Sequence, residues 1–160
     1  MDLELKGKKA LVTGSTAGIG FAIAKQLAVE GAEVVVTGRS SSKIEAAVAN
    51  IEASGAKAIG VESDMSTAAG ADVLIKEIPQ VDILVNNVGI YEPKSFFDIE
   101  DSDWNKMFEV NVMSGIRLSR HYMQGMLEGI EKDSDLTEFK KDVIKAYDSL
   151  KQDCGDIFIK

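Results

Sequence analysis

The chain has 160 residues, of which 45% are hydrophobic and only 2 are proline, the size and apolar content of one compact domain with a core. A formal net charge of -8 argues against a nucleic-acid or anionic-membrane partner, because either surface would be repelled. The single cysteine, Cys154, cannot close an intramolecular disulfide, and residues 1–9 lack an apolar signal core, so we expect a cytoplasmic protein.

Short β-branched runs alternate with segments of helical period from residue 9 to residue 86, which predicts βαβ units around a parallel sheet. The run KALVT (residues 9–13) is the first predicted strand, followed by a helix from about Gly18 to Glu30 that Gly31 ends. The run EVVVT (residues 33–37) predicts a strand buried on both faces. The helix after it runs to about Ala53, with Ser41 or Ser42 as its cap.

The next elements are a strand at KAIGVES (residues 57–63), a helix over residues 67–78 and a strand at VDILVNN (residues 81–87). A long helix capped by Asp101 or Ser102 follows. Its apolar stripe indicates either core packing or a subunit interface, so a homodimer through this helix is one hypothesis. The stripe consists of Trp104, Met107, Phe108, Leu118, Tyr122 and Met126.

The last part of the chain predicts a charged helical segment at about 128–153 and a short buried strand at GDIFIK (residues 155–160). We therefore expect an α/β doubly wound, Rossmann-like fold, with five parallel strands in the order 3-2-1-4-5 and helices on both faces. The whole of 1–160 is predicted to be a single domain in which the segment at 128–153 is atypical.

The glycine-rich loop between the first strand and the first helix, TGSTAGIG (residues 13–20), predicts a diphosphate site. Glycine there allows a sharp turn, a close approach of the backbone to the phosphates and close packing of the helix on the sheet. Anions are favoured at the start of the helix, where unpaired N–H groups meet the positive end of the helix dipole. The residues predicted to contact the cofactor here are Gly14, Ser15, Thr16, Gly18, Ile19 and Gly20.

The end of the second strand decides between NAD and NADP. A carboxylate at this position would bind the ribose hydroxyls of NAD, but the chain has Thr37, Gly38 and Arg39 there, and Glu33 lies at the opposite end of the strand. Arg39 can bind the 2′-phosphate of NADP with help from the hydroxyl of Ser40 or Ser41, which favours NADP over NAD. The alternative is an ordinary solvent-exposed arginine.

These motifs resemble the short-chain dehydrogenase/reductase family from Leu5 to about Leu127. The loop TGSTAGIG matches the family's Thr-Gly-x-x-x-Gly-x-Gly pattern, NNVG (residues 86–89) resembles its Asn-Asn-Ala-Gly motif, and Asn111 corresponds to its helix asparagine. The resemblance implies NAD(P)-dependent carbonyl or alcohol redox chemistry without a metal. It also implies that Asp64 and Met65 lie beside the adenine, that Asn87, Val88 and Gly89 line the cofactor site, and that Asn111 anchors a water in a proton relay.

The family pattern ends near Leu127, before its catalytic serine and Tyr-x-x-x-Lys. Tyr147 and Lys151 have that spacing, and Ser134 lies 13 residues before the tyrosine, but this tyrosine precedes the candidate fifth strand rather than following it. We therefore predict no catalytic residue, and a truncated or engineered NADP-binding domain that lacks the full serine, tyrosine and lysine set. Two alternatives stay open, an active NADP-dependent carbonyl reductase or alcohol dehydrogenase that uses Tyr147 and Lys151, and a non-catalytic scaffold or dimerising protein.

Overall fold

A computed structural model describes residues 3–132, and these contain a four-stranded parallel sheet in the order β3-β2-β1-β4. The strands are β1 (Lys9–Val12), β2 (Glu33–Gly38), β3 (Ala58–Glu62) and β4 (Ile83–Val85). The sheet confirms the predicted parallel, doubly wound fold and the order 3-2-1-4. The predicted fifth strand at residues 155–160 lies outside the described residues, as does most of the segment at 128–153.

Three helices connect the strands, α1 (Gly18–Val29), α2 (Ser41–Glu52) and α3 (Ala68–Glu77). Because parallel crossovers are right-handed, the steps from β1 to β2 and from β2 to β3 place α1 and α2 on one face. The step from β3 to β4 runs in the opposite direction across the sheet, so α3 lies on the other face. Gly31, at φ +100°, follows the end of α1 as predicted. The helix α3 begins one residue after the predicted start, because Thr67 is its N-terminal cap and accepts a hydrogen bond from the Gly70 N–H.

The two central strands are buried on both faces, as three consecutive valines in β2 predict. Alternate residues of a strand point to opposite faces. Val34 and Val36 pack with Val12 in the cluster beneath α1 and α2, whereas Leu11 and Val35, which are also fully buried, face the opposite side. The carboxyl ends of β1 and β2 are therefore held firmly in the core, and the loops that follow them start from fixed points.

The helical region after β4 differs from the single long helix that the sequence predicts. It consists of a 3-10 turn (Phe96–Asp98), α4 (Asp101–Phe108), a π-helical turn (Glu109–Met113) and α5 (Ser114–Lys132). The predicted caps are also wrong. Ser40 rather than Ser41 or Ser42 precedes α2, and Glu100 rather than Asp101 or Ser102 precedes α4.

The predicted apolar stripe of this region divides into a buried part and an exposed part. Leu118 and Tyr122 are buried, and the Tyr122 hydroxyl donates a 2.7 Å hydrogen bond to the Ile78 carbonyl at the end of α3. Trp104 and Phe108 are each 56% exposed. Core packing is therefore confirmed for the α5 end of the stripe and not for the α4 end.

The chain divides into two compact units, Met1–Met123 and Gln124–Lys160. The first contains the sheet, and the described part of the second is helical, with a Gln124 to Glu128 side-chain hydrogen bond one turn apart. The single-domain organisation stays a prediction. Among residues 3–132, no helix is both long and apolar enough to cross a membrane.

Candidate functional site

A cleft of about 480 Å³ opens at the carboxyl ends of the strands. In open α/β sheets this edge, at the point where strand order reverses, is where ligands bind, and here the reversal lies between β1 and β4. The cleft is lined by the last two residues of β2 and by residues that follow each of the four strands, together with residues of α4 and the π-helical turn. These residues are Gly14, Thr16, Thr37, Gly38, Arg39, Ser63, Asp64, Met65, Ser66, Asn87, Val88, Gly89, Ile90, Lys106, Glu109 and Val110.

The loop after β1 has the conformation that its glycines permit. Gly14 and Gly18 have φ values of +61° and +59°, in the left-handed region that L side chains avoid. The helix α1 begins at Gly18, and the residue before it, Ala17, makes no side-chain capping bond. The first N–H groups of α1 are thus left without a side-chain acceptor, which is the arrangement that favours an anion at a helix start.

Gly20 is required by close packing rather than by its backbone angles. A Cβ atom at this position would lie 2.4 Å from Asn87 Nδ2 and 2.6 Å from the Gly14 carbonyl oxygen. The first turn of α1 therefore rests directly against the loop and against the segment after β4. This contact joins the two sides of the cleft.

Thr13 and Asn87 fix the loop to β4. The Thr13 hydroxyl accepts from the N–H groups of Asn87 (2.9 Å) and Val88 (3.1 Å) and donates to the Val85 carbonyl at 3.3 Å. The Asn87 side-chain amide donates to the carbonyls of Thr13 (2.9 Å) and Gly14 (3.2 Å). Sequence reasoning did not single out Thr13, although a hydroxyl residue at the strand end directly before the first glycine was the available signal.

Ser15 and Thr37 fix the other side of the same loop to β2, and both are fully buried. The Ser15 hydroxyl donates to the Val12 carbonyl at 2.6 Å and accepts from the Thr37 N–H at 3.0 Å. The Ser15 N–H donates to the Thr37 carbonyl, and the Gly14 N–H donates to the Thr37 hydroxyl. Ser15 thus has internal partners for both of its donors.

Arg39 and Asp64 stand at one end of the cleft, after β2 and β3. Arg39 is exposed, and Glu33 at the far end of the same strand faces Lys9 at 3.8 Å, so the acidic residue is remote from the cleft, as predicted. Hydrogen bonds from the side chain and backbone N–H of Ser66 lower the pKa of Asp64, and the charge of Arg39 lowers it further. The Asp64 carboxylate is therefore charged across the neutral pH range.

Asn111 lies in the π-helical turn and holds the segment after β4 at the other end of the cleft. Its side-chain oxygen accepts from the Ile90 N–H at 2.7 Å, and its amide nitrogen donates to the Ile90 carbonyl at 3.0 Å. Two charged pairs flank this end, Lys106 with Glu92 and Arg117 with Glu109. The role of Asn111 in a proton relay stays a prediction, since the contacts observed here are with the Ile90 backbone and, at 3.9 Å, with the Met107 sulfur.

The structure brings eight of the predicted cofactor residues together in the cleft, Gly14, Thr16, Arg39, Asp64, Met65, Asn87, Val88 and Gly89. The other five do not line it. Ser15 and Gly20 are buried. Gly18 and Ile19 are exposed to solvent in the first turn of α1, and Ser40 is the residue before α2. Ser134, Tyr147 and Lys151 lie outside the described residues.

The His121 Nε2–H donates a 3.0 Å hydrogen bond to the Pro79 carbonyl and so helps α5 pack beside the end of α3. It takes no part in the cleft. Within residues 3–132 there is no group of three or more His, Cys, Asp or Glu side chains that could hold a metal ion.

The profile of the family described as short chain dehydrogenase matches residues 8–133. An uncharacterized oxidoreductase of Bacillus subtilis strain 168, YvaG, is 48% identical over 130 residues, which are 80% of this chain and 49% of YvaG. The 3-oxoacyl-[acyl-carrier-protein] reductase FabG of Escherichia coli K12 is 36% identical over 127 residues, which are 79% of this chain and 52% of FabG. The chain thus spans about half the length of these curated relatives.

A solved structure with the same architecture is the L-sorbose reductase of Gluconobacter frateurii, which was crystallised with NADPH and L-sorbose. It has a TM-score of 0.76 and 33% identity, and the match covers 80% of this chain and 51% of the reductase. A metagenomic short-chain oxidoreductase in complex with NADP has a TM-score of 0.70 and 32% identity over 78% of this chain and 59% of its own.

Proposed function

Since the chain belongs to the short-chain dehydrogenase family, we propose that it binds NADP(H) in the cleft at the carboxyl ends of its strands. The bound dinucleotide supplies hydride transfer at its nicotinamide ring. The chain would then be the cofactor-binding part of an NADP-dependent oxidoreductase.

The observation that carries this proposal is the junction of β1, its glycine-rich loop and α1 beside the segment after β4. Gly14 leaves the backbone free of a Cβ at the cleft, and α1 starts without a side-chain cap. A diphosphate is the ligand that suits such a loop, because its charge is stabilised by unpaired N–H groups and by the helix dipole. The cofactor thus fits the residues present.

Each part of the cleft corresponds to one part of the dinucleotide. Gly14 and Thr16 would hold the diphosphate, and Arg39 the 2′-phosphate. Asp64 and Met65 would lie at the adenine, and the segment 87–89 would extend along the nicotinamide side. The NADPH and NADP complexes of the two structural relatives support this assignment.

No tyrosine is among the residues that line the described part of the cleft, whereas the family motif uses a tyrosine with a lysine. Of the tyrosines in residues 3–132, Tyr122 is buried, and its hydroxyl donates a hydrogen bond to the Ile78 carbonyl. Burial raises the pKa of Tyr122 to about 12. Tyr91 is exposed and does not line the cleft. We therefore propose that residues 3–132 bind the cofactor and do not provide the tyrosine of the family's catalytic set.

The second candidate is an active reductase that uses Tyr147 with Lys151. Carbonyl-dependent oxidation of NADPH that is present in the wild type and absent in Tyr147→Phe would establish it. Unchanged cofactor binding in the same variant would separate loss of chemistry from loss of folding.

The test of cofactor choice is thermal unfolding with NADPH and NADH. A ligand at about 100 times its dissociation constant stabilises the folded state by about 2.7 kcal/mol. NADPH should act at lower concentration than NADH, and Arg39→Asp should reverse that order. The control is Arg120→Asp, which makes the same charge change on an exposed residue of α5. Equal shifts by both cofactors in the wild type would refute the NADP preference.

We also propose that the chain self-associates through α4 and the start of α5. Trp104, Phe108, Val112 and Ile116 recur every four residues, and each is at least 39% exposed. Exposed apolar rows of this kind mark interaction surfaces. Mass measurement in solution should give a dimer, and Phe108→Glu should give a monomer. A monomeric wild type at micromolar concentration would exclude this proposal.

A further inference from the structure

Ser15 and Thr37 make a set of contacts that direct cofactor binding does not explain. Both residues are fully buried, and they are joined by reciprocal hydrogen bonds, Thr37 N–H to Ser15 Oγ and Ser15 N–H to the Thr37 carbonyl, each 3.0 Å. The Gly14 N–H donates to Thr37 Oγ1 at 3.2 Å. Consecutive residues of the glycine-rich loop are thus bound to a single residue of β2.

The next residue along each segment continues the contact. A Cβ atom at Gly38 would lie 2.7 Å from Thr16 Cγ2, so the Thr16 side chain lies directly over the backbone of β2. Arg39 follows immediately, and both Thr16 and Arg39 line the cleft. The carboxyl end of β2 therefore contacts the loop that would hold the diphosphate, and it leads directly into the arginine that would hold the 2′-phosphate.

We propose that Ser15 and Thr37 are positioning residues that hold the glycine-rich loop at a fixed distance from Arg39. This inference rests on the proposed function. A ligand that occupies both positions gains from a loop already in place, because it does not lose binding energy in ordering it. A ligand that reaches only the arginine end gains nothing from the loop.

The distinguishing probes are NADPH, which spans both positions, and 2′-AMP, which has the adenosine and 2′-phosphate but no diphosphate. In Ser15→Ala and Thr37→Val we expect about ten-fold weaker binding of NADPH, the change that corresponds to about 1.4 kcal/mol. Binding of 2′-AMP should stay within about two-fold of the wild-type value, which corresponds to about 0.4 kcal/mol. Both dissociation constants are measured by calorimetric titration.

The matched control is Ser54→Ala. The Ser54 hydroxyl donates to the Ile51 carbonyl at 2.6 Å, the same three-residue spacing and distance as the Ser15 bond to Val12. Ser54 lies after α2 and does not line the cleft. Ser54→Ala should therefore leave the affinities for NADPH and for 2′-AMP unchanged. Thr37→Ser keeps the acceptor for the Gly14 N–H and should restore NADPH binding to within about two-fold of wild type.

Equal weakening of NADPH and 2′-AMP in Ser15→Ala and Thr37→Val would overturn the proposal, and so would unchanged NADPH affinity. If Ser15→Ala does not fold, the comparison of Thr37→Val with Thr37→Ser decides, because valine keeps the shape of threonine. A wild type that binds neither probe would instead refute the proposed function, and this inference with it.

Discussion

Gly20→Ala should displace the glycine-rich loop. The new Cβ atom would lie 2.4 Å from Asn87 Nδ2 and 2.6 Å from the Gly14 carbonyl oxygen, distances that require one side to move. Overpacking of this kind costs about 1–3 kcal/mol. The bonds from Asn87 to the Thr13 and Gly14 carbonyls would also be lost, at about 1 kcal/mol each.

Alanine regains about 1 kcal/mol through its better helix propensity. The net loss is thus about 3 kcal/mol, which lowers Tm by roughly 10 °C in a domain of this size. Because the displaced loop is the proposed diphosphate site, the affinity for NADPH should also fall by at least about ten-fold. Circular dichroism melting and calorimetric titration measure the two effects.

Gly125→Ala is the matched control, since a Cβ atom there meets nothing within 4 Å and the residue lies on α5. This variant should be as stable as the wild type or more stable by up to about 1 kcal/mol, and it should bind NADPH with wild-type affinity. If Gly20→Ala were as stable as Gly125→Ala, the close packing of α1 against the segment after β4 would be refuted.

Three further predictions concern single side chains. Asn111→Ala removes two hydrogen bonds to Ile90 and should lower the free energy of unfolding by about 1–3 kcal/mol, measured in urea; no change would contradict the observed anchoring. Burial raises the pKa of Tyr122 from 10.0 to about 12. The neutral hydroxyl therefore contributes fully to the free energy of unfolding below pH 10, and this contribution is lost as the pH rises toward 12. Urea unfolding from pH 8 to 11.5 should show a loss above pH 10 that is smaller in Tyr122→Phe, and parallel curves would contradict this. The pKa of Asp64 in the folded state lies below 3.8, so the carboxylate stabilises the fold above pH 3.8 and this stabilisation is lost as the pH falls further. In Asp64→Asn the free energy of unfolding should therefore depend less on pH in the acid range.

The central strands and the glycine-rich loop were predictable because local sequence and tertiary environment agree there. Three valines in β2 require burial on both faces, and a strand followed by spaced glycines and a helix leaves few other structures. The cleft residues Gly14 and Arg39 follow from the same rule, since each comes within two residues of the end of a parallel strand, whereas Asp64 was expected from the family resemblance alone.

The start of α4 was not predictable from cap preferences, which favour aspartate and serine over glutamate. Glu100 takes this position because its side chain and that of Asp103 accept from each other's backbone N–H groups. The π-helical turn was missed because it has no local sequence signal, and it places Asn111 against Ile90.

The inward direction of Ser15 depends on Thr37, 22 residues later in the chain, and no pattern within the loop indicates it. A hydroxyl in a glycine-rich loop is compatible with a contact to phosphate and equally with a contact to the neighbouring strand. Only the register of β1 with β2 decides between them.

The central claim is that the cleft after β1 and β4 binds NADP(H), and calorimetric titration of the wild type with NADPH tests it most directly. We expect one saturable site per chain, with displacement by 2′-AMP and weaker binding of NADH. The absence of saturable binding, or NADPH binding that neither Gly20→Ala nor Arg39→Asp weakens, would contradict it.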